Sequence, residues 1–319
     1  MASMAPARGQ VISTRVRGWL VACVAGVLLA TGGGALGQPV EEPVAGVLSG
    51  VLKRIKAAGV VRIGHRASAI PFSYLGLDGR PYGYSIDLCH EVVEQIAHAV
   101  GVAALRVEYR PVTPADRIDE IVDGKIDLEC GATTNTAERR KRVAFSPLIF
   151  VAGTRLLVKS GSAVRSVRDL AGRQVVAVRN TTNDEAMRHL ATTLARGVAV
   201  LSADDYAQAL QMLASGEGDA LAADDILLTA YLAEKGLRGQ YLVVGDLLSY
   251  EPYGIMFARD DPPLAEVVDA TFRRLAASRE LRWIYNKWFM RPLPSGIRLG
   301  LPMSAQLQRS FEILGLPPE

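Results

Sequence analysis

Short runs rich in valine and isoleucine alternate with stretches of helical period along most of the 319 residues, and few folds accommodate that order. It is the pattern of a mostly parallel sheet flanked by helices. Runs at 60–64, 106–110 and 126–130 read as buried strands. Residues 86–100 read as an amphipathic helix, with Ile86, Cys89, Val93, Ile96 and Val100 near one face. Shorter helices are expected at 114–122, opened by Pro114, and at 136–142. The run 148–159 is long and apolar, and reads as the passage from one lobe into another. A second lobe then repeats the grammar, with strands at 174–178, 198–201, 220–223 and 241–244 and helices at 182–194, 204–214 and 225–234. The chain crosses back near 247–253. Helices at 263–277 and 280–289 return to cover the first lobe, and a proline-rich tail carries one helical stretch near 304–314.

The N-terminus obeys different rules. Arg8, Arg15 and Arg17 precede an apolar run from Trp19 to Ala30, and small residues lead to Gly37. This reads as an export signal over 1–37, cleaved near Gly37. The apolar run falls short of the roughly 20 residues that span a bilayer. Cys23 sits where a lipoprotein box could be read, but most of the apolar run follows it. The chain carries 36 Lys+Arg and 33 Asp+Glu; without the three signal arginines, 33 basic side chains face 33 acidic ones. The apparent basicity therefore belongs to the signal, and no nucleic-acid partner follows from it. Cys89 and Cys130 remain. Both sit in apolar patterns, which favours buried thiols, while an exported protein leaves a bridge open.

No zinc-protease, nucleophile-elbow or phosphate-loop motif occurs, and His65, His90, His98 and His189 lack ligand spacing, so neither a metal nor a cofactor is expected. Polar residues instead recur just after strands: Arg66, Thr133 and Thr134, Thr181 and Thr182, and Asp224. Singly, each reads equally well as a surface residue or a helix cap. Together they place donors and one acid at equivalent strand ends of both lobes, where open α/β sheets bind ligands.

These residues lie in longer stretches that carry a resemblance. "IGHRASAIPFSYLGLDGRPYGYSIDLC" (63–89), "DGKIDLECGATTNTAERRKRVAFSPLIFVAGTRLLVK" (123–159), "VRDLAGRQVVAV" (167–178), "DALAADDILL" (219–228) and "YNKWF" (285–289) stand in order. The chain resembles the periplasmic binding proteins of polar amino-acid importers, the family 3 extracellular solute-binding proteins, and among them the glutamate/aspartate binders. The resemblance implies a type II fold of two α/β lobes joined by two crossover strands. Lobe one would comprise 38–151 plus 252–319, and lobe two 152–251. It implies a periplasmic monomer that delivers glutamate or aspartate to the permease of an ABC importer without chemistry on the ligand.

By the same resemblance, Arg139 would pair with the ligand α-carboxylate, helped by Thr134 and the backbone at Thr182. Asp224 and the carbonyl of Ala132 would take the α-ammonium, and Arg66 and Arg117 the side-chain carboxylate. Two positions depart from the pattern. Pro114 replaces an expected serine and Tyr206 an expected histidine, both beside the side-chain carboxylate; tyrosine can still donate, proline cannot. Asn180 replaces a glycine before the threonine pair, and asparagine tolerates the left-handed region. Three arginines and one aspartate leave one positive charge to spare over a dicarboxylic amino acid. The alternatives are a cyclohexadienyl or arogenate dehydratase on the same scaffold, with Asp224 or Glu185 as its carboxylate, and a sensory domain acting through a separate partner.

Overall fold

A computed structural model describes residues 48–193 and 197–317. The expected export signal, 1–37, lies outside the described residues. Among the described residues no helix is long and apolar enough to cross a membrane.

Two five-stranded sheets organise the chain. In the first, strands run in the order Arg106–Pro111, Val60–His65, Leu128–Glu129, Met256–Ala258, Val143–Phe145; in the second, Ala199–Ala203, Gln174–Val178, Ala220–Asp224, Thr154–Lys159, Tyr241–Val244. Four strands of each sheet point one way. The exceptions, Met256–Ala258 and Thr154–Lys159, pair antiparallel with both neighbours. Each is the strand entered directly after a crossing. The crossings themselves, Phe150–Ala152 and Glu251–Tyr253, pair antiparallel as a two-stranded ladder between the sheets. Helices Tyr84–Val100, Pro262–Ala277 and Glu280–Phe289 pack in the first lobe, and Thr182–Thr193, Tyr206–Ser215 and Asp225–Glu234 in the second.

The first-lobe core runs through Ile55, Ile63, Leu88, Ile96 and Phe272 into the aromatic rings of Phe72, Tyr84, Phe150, Tyr253, Tyr285 and Phe289. Phe150 and Tyr253 belong to the two crossing strands, and Phe72 meets both edge-on at 5.0 and 5.1 Å. Such contacts add roughly 0.5–1.5 kcal/mol each beyond burial. The crossing is thereby fixed to lobe one. The second sheet carries separate apolar clusters, one around Val176, Leu213, Leu221 and Leu228 and one around Leu156, Val175, Met187 and Ala222.

Cys89 and Cys130 form a disulfide, which overturns the reading of two buried thiols. Helix Tyr84–Val100 crosses the end of strand Leu128–Glu129 with the two Cα atoms 6.3 Å apart, within bridging distance. That approach is made by helix-on-sheet packing, so nothing local to either cysteine announces it. The short helices are smaller than expected. Arg139–Lys141 is a single 3-10 turn, and residues before Arg117 form a turn in which Thr113 N–H donates to Asp116. Helix Gly50–Ala58 and the small sheet Ser68–Ala69, Ser73–Leu75, Pro81–Tyr82 were not legible in the sequence pattern.

Candidate functional site

Each chemistry-bearing residue stands within a few positions of a strand's carboxyl end. Arg66 follows His65; Arg117 opens its helix six residues beyond Pro111; Ala132, Thr133 and Thr134 follow Glu129. In the second lobe Thr181 and Thr182 follow Val178, Tyr206 follows Ala203, and Asp224 ends its own strand. Asn180 takes φ 60°, so the left-handed turn that aims the threonine pair persists without glycine.

The two sets meet across a narrow cavity, lined by Arg66, Arg117, Ala132 and Thr134 from lobe one and by Thr182, Tyr206 and Asp224 from lobe two. Arg139 stands beside that wall and not in it: its Nη1 donates to the carbonyl of Thr134 at 2.9 Å. Glu185 lines a wider outer groove with Thr134, Thr182 and Glu251 and is not in the cavity wall. The nearby Pro114 is buried but does not line the cavity.

Arg66, Arg117 and Arg139 are all buried, at 5, 3 and 8% exposure. Burying three guanidiniums together is unfavourable unless negative charge is close. Desolvation first, and Arg117 second, lower the pKa of both Arg66 and Arg139 to about 10. Both therefore remain cationic at neutral pH. Arg117 Nη1 donates to Thr133 Oγ1 at 2.7 Å, and that hydroxyl in turn donates to Glu129 Oε2 at 2.8 Å. Arg117 Nε and Glu129 Oε1 are buried with no hydrogen-bond partner among the described residues.

Asp224 is the acidic pole of the cavity. Its Oδ1 accepts from Asn183 Nδ2 at 2.9 Å and its Oδ2 from the Tyr253 hydroxyl at 2.5 Å. Burial first, and the charge of Glu251 second, push its pKa up to about 6, against the pull of those two donors. Burial also raises the Tyr206 hydroxyl, which stays a neutral donor.

The sequence reading missed Glu129, Glu251, Asn183 and Tyr253. Glu129 and Glu251 correct the charge count: three buried arginines face three buried acids, with no positive charge to spare. A signal for both existed. Each is an acidic side chain set in a largely apolar strand or crossing run, where an ionised side chain is costly unless it has partners.

A two-lobed α/β fold with charged strand ends gathered on an enclosed interlobe cavity defines a hinged solute-binding protein. The model of the bacterial extracellular solute-binding proteins, family 3, matches residues 61–291, and the chain belongs to that family. It is 40% identical over 268 residues to an L-glutamate/L-aspartate-binding protein of Pseudomonas aeruginosa, covering 83% of this chain and 89% of that one. It is 33% identical to a glutamate/aspartate import solute-binding protein of Escherichia coli over 82% of this chain and 87% of that one. Among solved structures, an ancestral arginine-binding protein bound to arginine is similar at 31% identity and a TM-score of 0.65, over 72% of this chain and 98% of that one. These relatives are binding proteins and not enzymes.

Proposed function

We propose that this chain captures glutamate or aspartate between its lobes and hands it, as a monomer, to the membrane permease of an ABC importer. The moving bodies are the two lobes, with the crossing strands Phe150–Ala152 and Glu251–Tyr253 packed on the first. The site of action is the periplasm, reached through an export signal cleaved near Gly37. The Cys89–Cys130 bridge supports that compartment, because such bonds persist in oxidising surroundings.

The observation that carries the cargo is the distribution of charge around one cavity, with Arg66 and Arg117 in one lobe and Asp224 in the other. A dicarboxylic amino acid brings two anions and one cation. Arg66 and Arg117 hold its side-chain carboxylate, with the Tyr206 hydroxyl as a further donor. Arg117 Nε is a buried donor that such a carboxylate satisfies. Arg139 and backbone N–H groups at Thr134 and at the start of helix Thr182–Thr193 take the α-carboxylate, as helix starts favour anions. Asp224 and the Ala132 carbonyl take the α-ammonium. Three charge-assisted clusters reach the roughly −8 kcal/mol of micromolar binding after entropic costs.

Calorimetry on protein refolded free of carried-over ligand tests the reading. Glutamate or aspartate should bind, and Arg139→Ala should abolish binding of every amino acid. Arg66→Ala should weaken the dicarboxylates about a hundredfold while changing glutamine binding little. Equal losses for acidic and neutral ligands would remove the acidic-cargo reading.

A further inference from the structure

Glu251 sits on the returning crossing strand opposite Ala152 and is 2% exposed. Its Oε2 accepts from the Thr134 hydroxyl and from the Thr182 hydroxyl, both at 2.6 Å, while Oε1 accepts from Ser249 at 2.5 Å. One carboxylate oxygen thus holds one hydroxyl from each lobe, and the two hydroxyls stand 3.4 Å apart. Thr134 and Thr182 line both the enclosed cavity and the outer groove, whereas Glu251 lines only the groove. The three side chains form the seam that separates the two spaces.

The halves of this seam differ in what fixes them. Thr134 is tied to the crossing strand by backbone, through a bridge to Tyr253 and through Asn135 N–H donating to the Pro252 carbonyl at 2.7 Å. Thr134 and Glu251 therefore stay together when the lobes part. Thr182 starts a helix of lobe two and leaves with it. A hydroxyl also has a single proton to give. Both hydroxyls donate to Glu251, so neither is available as a donor to a guest's carboxylate.

We propose that Glu251 is a positioning residue that latches the lobes shut, accepting Thr182 only in the closed form. The latch acts on whatever the cleft holds, and it rests on the reading that this cleft is the ligand site. Its chemical consequence is that Arg139 and backbone N–H groups, and not the two hydroxyls, carry the α-carboxylate.

The test is the dissociation rate of radiolabelled glutamate under unlabelled chase, with calorimetric affinities alongside, for Glu251→Gln, Thr182→Val and the double variant. Each single change should speed dissociation about ten- to a hundredfold and leave association within about twofold. The double variant should be no faster than the worse single one, because Glu251→Gln weakens, and Thr182→Val removes, the same bond. Ligand-free Thr182→Val should melt with the wild type, which a general packing defect would not do. Wild-type dissociation in both variants, or effects that multiply, overturns the latch; Thr182→Val decides alone if Glu251→Gln does not fold. A wild type that binds another amino acid instead overturns only the cargo reading, and the chase is then run with that amino acid. A wild type that binds none of the twenty overturns both.

Discussion

Asp224 shows how much one residue's surroundings change its chemistry. An aspartate ordinarily titrates at 3.8, and here it titrates at about 6 because it is buried beside Glu251. A raised carboxylate favours its protonated form in the fold. The associated stability is present below about pH 4 and is lost as pH rises through about 6. Above that, the buried charge costs on the order of 3 kcal/mol in the ligand-free protein. Asp224→Asn should therefore raise the ligand-free melting temperature at pH 7.5 and weaken amino-acid binding about a hundredfold or more. A lower melting temperature would show that the carboxylate is already compensated without ligand. Near and below about pH 6, binding in turn should release a proton, since an ammonium beside Asp224 holds it ionised. Affinity should fall up to about tenfold for each pH unit below about 6, and calorimetry in buffers of different ionisation enthalpy should register the proton.

At the scale of the element, the helix Tyr84–Val100 and the segment after strand Leu128–Glu129 are built as one unit. The Cys89–Cys130 bridge pins them, and Ser85 Oγ donates to the Gly131 carbonyl at 2.7 Å. Closing a loop of 41 residues is worth at most about 4 kcal/mol on the chain-entropy account. Replacing both cysteines with serine should lower the urea midpoint and steepen the slope as the unfolded chain loses its crosslink, with affinity nearly retained if the remaining packing holds Ala132 and Thr134 in place. Gly83, at the entry to the same helix, has φ 142°, and a Cβ there would stand 2.1 Å from the Phe72 carbonyl oxygen. Gly83→Ala should cost more than about 2 kcal/mol, readable in the same denaturation, because both the backbone and its neighbour would have to shift. The sequence showed the helix by its period but gave no sign of this contact, which is made by a chain segment eleven residues upstream.

For the whole molecule, the lobes are joined by two strands, and the cleft is where their charged ends meet. Ligand that binds only the closed form should add about 2.7 kcal/mol of folding stability at 100 times its dissociation constant, seen as a rise in melting temperature with glutamate but not with a dicarboxylate lacking the amine. Much of this plan was legible beforehand. Strand–helix alternation, the long crossing near 148–159 and polar residues after strands all follow from chain-local pattern, because period and burial are set by neighbours in sequence. Arg66, Arg117, Thr134, Thr182 and Asp224 were singled out from strand ends or from resemblance, and each lines the cavity.

What the amino-acid order determined by itself was the grammar: two α/β lobes, the return crossing, and the strand ends that carry charge. What only the tertiary structure decided was which acids face those charges. Glu129 and Glu251 drew no notice in the sequence, and Cys89 and Cys130 read as buried thiols, until packing brought their partners alongside. The reason is physical. Burial and period are properties of a short segment, whereas compensation of a buried charge depends on groups that can lie more than a hundred residues away, as Thr134 lies from Glu251.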